Sequence, residues 1–204
     1  MDGWSESAEL ISFLISFSEK NNCIFIRGNH DELLYRYLKH GESNPMWLGE
    51  GGESSIKSYS GISEKTRKKH LDFFESLVNF HIDSQNRLFV HAGFFNLRGP
   101  GHEYYPNLVY WDRTLWETAC ALDPALPKDD LRYPKRLKLF KEIYIGHTPV
   151  SRVGSDKPVG FANVWNVDTG AAYKGKLSMI DTDTKEIWQS DPVYLLYPDE
   201  KGRN

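Results

Sequence analysis

Three short apolar stretches each run into a small-residue turn holding a side chain that could bind a metal or move a proton. They are Gly28-Asn29-His30-Asp31, His91-Ala92-Gly93 and Gly146-His147-Thr148. Two imidazoles and an amide oxygen are hard-to-borderline ligands, suited to Mn, Fe, Zn or Co rather than to a thiolate-preferring ion. Glycine beside each lets backbone and ion approach closely. Singly, each motif is weak: His91 reads as a satisfied core histidine, His147 as a strand cap and Asn29 as a turn residue. Their recurrence after three strands carries the weight, because ligands of α/β sheets bind beyond the carboxyl ends of the strands.

The elements that must position these turns follow from hydrophobic periodicity. Residues 5–20 predict an amphipathic helix, with Leu10, Leu14 and Phe17 recurring at helical spacing beside Ile11 and Phe13. Residues 23–26 (CIFI) predict a buried strand, and 31–39 (DELLYRYLK) a helix with acids first and a basic end, as the helix dipole prefers. Residues 41–62, rich in Gly and Ser with Trp47 among them, predict a loop or covering segment. A second amphipathic helix is expected over 63–78, its Lys65–Lys69 run a solvated face. Short buried strands are expected at 87–90 and 143–145, a loop over 96–109 and a helix over 110–122. From Phe161 the pattern alternates, with strands at 163–168, 176–180 and 186–189, the last two joined by a turn at 181–184. Absent repeats or linkers, the reading is one α/β domain over 1–204.

Composition narrows the partners. The chain has 204 residues, a formal net charge of −3 and 26% charged residues, which gives no general pull toward nucleic acid or anionic lipid. The longest apolar run, Leu10 to Phe17, is far too short to span a bilayer. Two cysteines, Cys23 and Cys120, make neither a disulfide framework nor a thiolate zinc site. The expectation is a cytoplasmic protein without nucleic-acid or membrane partners.

The blocks IRGNHDELL, LFVHAGF and YIGHTPV resemble three signatures of the calcineurin-like metallophosphoesterases, of the bacterial serine/threonine protein phosphatase and diadenosine-tetraphosphatase type. WLGEGGESSIKSY resembles the family's glycine-pair loop, VYWDRTLW its Trp-x-Arg segment and NVDTGAAYKGKLSMID its DTGA strand pair. The resemblance covers essentially the whole chain. It implies a four-layer α/β/β/α sandwich and a centre of two divalent cations, Mn foremost and Fe, Zn, Co or Ni as alternatives. By motif, Asn29, His91 and His147 would bind one cation. His30 would face the leaving-group oxygen as general acid, and Arg113 would grip phosphate with its planar fork. Taken alone, Arg113 reads equally as a surface salt bridge. Arg27, Asp168 and Gly170 read as architectural.

Two family blocks before GNH are not in this sequence: Asp-x-His, which feeds the other cation, and the first Asp of Gly-Asp-x-x-Asp-Arg-Gly, which bridges both. The opening Met1-Asp2-Gly3-Trp4 aligns with the tail of the second block, Met1 falling at an apolar position. Asp2 would then orient His30, and Gly3 stands where many relatives have a phosphate-binding Arg. The expectation is a fragment of a longer enzyme, lacking the first central strands and holding at most one cation weakly.

The implied reaction is attack on phosphorus by a metal-bound hydroxide, with no covalent phosphoenzyme. The leading expectation is a serine/threonine protein phosphatase acting on a phosphoprotein or a small phosphoester. The alternatives are a dinucleoside polyphosphate hydrolase, for which Trp4, Trp47 and Trp111 could stack bases, and a catalytically inactive phosphate- or partner-binding module.

Overall fold

The computed structural model describes residues 2–203; Met1 lies outside the described residues. The chain divides into two compact units. The first runs to Val78 and takes in Ala171–Gly175 and the residues from Asp191 on; the second comprises Asn79–Gly170 and Lys176–Ser190.

The first unit is helical. It holds α1 (Ser7–Ser18), α2 (Asn29–His40), the single turn α3 (Pro45–Trp47), a π-helical turn (Leu48–Gly52), α4 (Glu53–Ser58) and α5 (Glu64–Ser76). Local chemistry sets the ends of α2. The Asp31 carboxylate accepts a hydrogen bond from Gly28 N–H at 2.8 Å, and Gly41 closes the helix at a left-handed φ of 71°. Ser63 caps α5 by accepting from Thr66 N–H. Ile11, Leu34, Leu38, Trp47, Phe73, Phe74 and Leu77 form the core. Burying each such side chain contributes about 1.5–3 kcal/mol, whereas an exposed ion pair such as Arg36–Glu32 contributes about 0.2–1 kcal/mol. The apolar faces therefore hold these helices together.

Three expectations are corrected here. Residues 23–26 are not a ladder strand: the segment makes a single parallel bridge, Ile26 to Val78. Its backbone pairs on that one side, through Arg27 N–H to Val78 O and Val78 N–H to Phe25 O, and Ile24 is 52% exposed. A strand needs a neighbour, and apolar composition alone does not supply one. On α1 it is Ile11 that is buried, while Leu10, Phe13 and Phe17 stay exposed; a helix apolar on several sides is oriented by its neighbours. Residues 41–62 are largely helical. Asn44 starts α3 by accepting from Met46 N–H and Trp47 N–H, a cap hidden among residues that read as loop.

The second unit carries β1 (Phe80–Ile82), β2 (Arg87–Val90), α6 (Thr114–Ala121), β3 (Glu142–Ile145), β4 (Val159–Phe161), β5 (Val164–Asn166), β6 (Lys176–Ile180) and most of β7 (Ile187–Pro192). The first five strands form one sheet in the order β1-β2-β3-β5-β4. β2, β3 and β5 are parallel, with an antiparallel strand at each edge. Register sorts the faces. Leu88, Ile143 and Val164 align and enter a core with Val90, Ile145, Phe94, Leu115 and Trp116, the last two from α6. Phe89, Tyr144 and Trp165 align on the opposite face. There the β6–β7 turn reaches them through Lys185, whose ammonium lies over the Tyr144 and Trp165 rings. Helix, sheet and ribbon are thus layered, and the expected α/β class holds.

Candidate active site

The first unit builds its chemistry around a buried carboxylate. The start of α2 carries Asn29, His30 and Asp31, all buried. His30 Nδ1 lies 2.9 Å from Asp2 Oδ1 and 3.0 Å from Oδ2, astride the carboxylate. Each oxygen has one further donor: Trp47 Nε1–H reaches Oδ2 at 2.5 Å, and Arg203 Nη2–H reaches Oδ1 at 2.6 Å. Burial pushes the Asp2 carboxyl up; the His30 hydrogen bond and the charges of His30 and Arg203 outweigh it and hold the group well below the usual carboxylate range. An ionised acceptor at Nδ1 assigns the ring proton there, which leaves Nε2 as the atom that takes up or releases a proton. Glu50 Oε2 lies 3.7 Å from Nε2.

The glycine-pair loop has a steric reason. A Cβ on Gly51, at φ 96°, would stand 2.6 Å from Gly3 Cα, and one on Gly52 would stand 2.7 Å from the Trp47 ring. The two glycines let this turn close over Gly3 and bring the indole to Asp2. Arg27 donates to Glu32 and to Phe74 O, tying α2 to α5.

The second unit brings two imidazoles together at the ends of parallel strands. His91 follows β2 and His147 follows β3; Gly146 N–H donates to His91 O at 2.8 Å, and the rings lie 5.2 Å apart edge to face. His147 takes a left-handed φ of 68°, a strained backbone for a non-glycine residue and a mark of functional turns. Arg113 is turned toward this pair, its Nε 3.5 Å from His147 Nε2, and the Trp111 ring stands 6.2 Å from the same imidazole. Between them Asp112 is buried and caps α6, accepting from Thr114 N–H at 2.8 Å and Leu115 N–H at 3.1 Å. A Cβ on Gly93 would lie 2.4 Å from Asp112 Oδ2, so HAG needs its glycine for this helix cap. Asp168 accepts from Gly170 N–H at 2.9 Å.

The sequence-predicted residues thus fall in two sets. Asp2, Asn29 and His30 lie in the first unit; His91, His147 and Arg113 lie in the second. Trp47 and Arg203 as donors to Asp2 were not foreseen. The WLGEGG block holds the first signal, but no local pattern signals a contact spanning 201 positions. Asp112 was legible as an Asp two residues before a helix-starting Thr.

Among the described residues, no group of three or more His, Cys, Asp or Glu is assembled for a metal ion. The two imidazoles offer nitrogen donors, and the Arg113 guanidinium stands beside His147. Two such donors can supply two ligands of a single ion; a second cation would call for bridging anionic oxygen as well.

The family model of calcineurin-like phosphoesterases matches residues 1–169. A bis(5'-nucleosyl)-tetraphosphatase PrpE [asymmetrical] from Anoxybacillus flavithermus (strain DSM 21510 / WK1) is 24% identical over 99% of this chain and 80% of its own length. The protein of the same name from Geobacillus sp. (strain WCH70) is 26% identical, with the same coverage of both chains. That from Bacillus cereus (strain Q1) is 26% identical over 90% of this chain and 72% of its own. A crystal structure provisionally described as a diadenosine tetraphosphatase is 16% identical, with a TM-score of 0.48 over 83% of this chain and 68% of its own. With its three signature turns and a family match over most of its length, the chain belongs to the calcineurin-like phosphoesterases, a family of phosphoric ester hydrolases.

Proposed function

We propose that this protein hydrolyses dinucleoside polyphosphates, cleaving diadenosine tetraphosphate asymmetrically. The buried Asp2–His30 pair carries the reaction type: a histidine oriented through Nδ1 by an ionised carboxylate is built to pass a proton at Nε2 to a departing phosphate oxygen. The substrate class is supported by the names of the relatives, which favour it over the phosphoprotein expected from sequence. Arg113 would bind non-bridging phosphoryl oxygens through its planar fork. His91 and His147 would supply two ligands of one divalent cation. Such a cation, when bound, neutralises charge on the phosphoryl group.

The test is a side-by-side assay with Mn²⁺ added, diadenosine tetraphosphate against a phosphoserine peptide, with products resolved by chromatography and bound metal counted by mass spectrometry. The expected result is AMP plus ATP from the dinucleotide, slow or no release from the peptide, and no more than one Mn²⁺ per chain. His91→Ala and His147→Ala should each lower that stoichiometry. Preferential hydrolysis of the peptide would restore the protein phosphatase reading, and hydrolysis of neither would favour a binding module.

A further inference from the structure

We infer that Arg203 is a positioning residue for the Asp2–His30 pair, so that the segment from Asp191 onward completes the catalytic histidine's support. The inference rests on the role proposed above for His30. Asp2 has a side chain with 0% exposure, and a buried acid must be both neutralised and oriented. Trp47 fixes Oδ2 but brings no charge. Arg203 fixes Oδ1 and supplies a full charge. With one donor pinning each oxygen, the carboxylate plane cannot turn about Cβ–Cγ, and both oxygens stay within about 3 Å of His30 Nδ1.

The guanidinium is committed to this contact at a cost elsewhere. Its Nε is buried without a hydrogen-bond partner, an arrangement that folding alone would not favour. The segment bearing it is anchored independently. Tyr197 stacks on Trp4 with ring centroids 4.9 Å apart and donates through its hydroxyl to Glu6 at 2.8 Å. Glu200 accepts from Ser5 N–H at 3.0 Å, and Arg203 N–H donates to Ala172 O at 3.0 Å. Gly202 passes so close to Trp4 that a Cβ there would lie 2.5 Å from the indole. Removing the guanidinium therefore leaves the backbone held and takes away only what it does to Asp2. Gly3 sits beside it: a Cβ there would lie 3.7 Å from Arg203 Nε. A guanidinium supplied from 200 residues away thus packs next to the glycine that follows Asp2.

The test reads the histidine itself. In protein labelled with ¹⁵N-histidine, the His30 Nδ1–H proton, assigned with His30→Asn, should be visible in the parent chain. It should be lost to solvent exchange in Arg203→Ala and restored in Arg203→Lys, with circular dichroism unchanged. Persistence of the signal in Arg203→Ala, or its absence from a folded Arg203→Lys, overturns the inference. Should Arg203→Ala fail to fold, Arg203→Lys against Arg203→Gln decides: a signal in Lys alone supports the role of the charge, and a signal in both or neither sinks it. Turnover of diadenosine tetraphosphate supplies a second readout. Arg203→Ala should lower kcat about 10- to 100-fold with KM unchanged, as for misplacement of an acid–base group; a rise in KM alone tells against positioning. A chain that hydrolyses nothing refutes the proposed function, while the ring proton still decides the role of Arg203.

Discussion

His30 and His147 are both histidines in turns next to glycine, yet their surroundings differ. His30 is 8% exposed and its Nδ1 faces a carboxylate pinned by an indole and a guanidinium. His147 is half-buried at a left-handed φ, and around it stand the His91 ring 5.2 Å away, the Trp111 ring at 6.2 Å and an arginine at 3.5 Å. The first is over-determined, with tautomer and orientation set before any substrate arrives. The second sits beside an exposed arginine whose fork can be re-aimed. A group that transfers a proton gains from fixed geometry, whereas groups that grip an anion or a cation gain from donors still able to reach it.

The sharpest break in that contrast is His30→Asn. Turnover should fall by about 10²- to 10⁴-fold, the usual loss when acid–base help is removed, with bound metal retained; steady-state kinetics alongside metal analysis reads both. Loss of the metal instead would put His30 among the ligands and erase the distinction. Asp2→Asn comes next. It keeps the shape but leaves the Arg203 charge without its partner, and should cost about 3 kcal/mol in urea unfolding, toward the low end for breaking a buried pair because Arg203 retains some solvent access. An unchanged midpoint would mean that the carboxylate is not structurally committed.

Arg113→Ala probes the looser set. Losing a charge-assisted bond to phosphate, worth about 1.5–3 kcal/mol, should lower kcat/KM about 10- to 100-fold while thermal stability stays level. A large drop in melting temperature would show that Arg113 is structural. The smallest effect concerns His70, buried in the first unit against Ser12 Oγ at 2.9 Å and the Tyr59 hydroxyl at 3.0 Å. Burial lowers its pKa from 6.5. The folded state therefore favours the neutral ring: this contribution is fully present above pH 6.5 and is lost as pH falls toward the lower folded value. Protection factors of first-unit amides, exchange rates divided into their intrinsic rates at each pH, should fall between pH 7 and 5 ahead of those of the second unit, and His70→Gln should flatten that dependence. An equal fall in both units would remove this distinction between them.

Much of the second unit was legible from sequence. RLFV and EIYI are short, apolar and end in glycine turns, and they do form adjacent parallel strands with a histidine after each. The turn at 181–184 is also where expected, with Asp181 N–H donating to Glu186 O. β4 was not foreseen, since Val159–Phe161 is three residues long and its pairing with β5 turns on Ala162 at a positive φ of 52°. In the first unit CIFI misled, because composition reports hydrophobicity and says nothing of how many neighbours a strand has. Residues 41–62 misled in the other direction: their glycines mark close approaches to Gly3 and Trp47 within a mostly helical stretch.

Sequence by itself determined the chemistry on offer: which side chains stand in which turns, and the pairing of Asp2 with His30 that the aligned blocks imply. These are local matters of residue type and spacing. Tertiary structure alone decided what surrounds Asp2. Trp47 arrives from 45 residues away and Arg203 from 201, and contacts at such separations follow from packing and loop closure, for which no local pattern exists. It likewise decided that the two strand-end imidazoles meet edge to face under Arg113, since that geometry depends on sheet register and on the strained turn at His147.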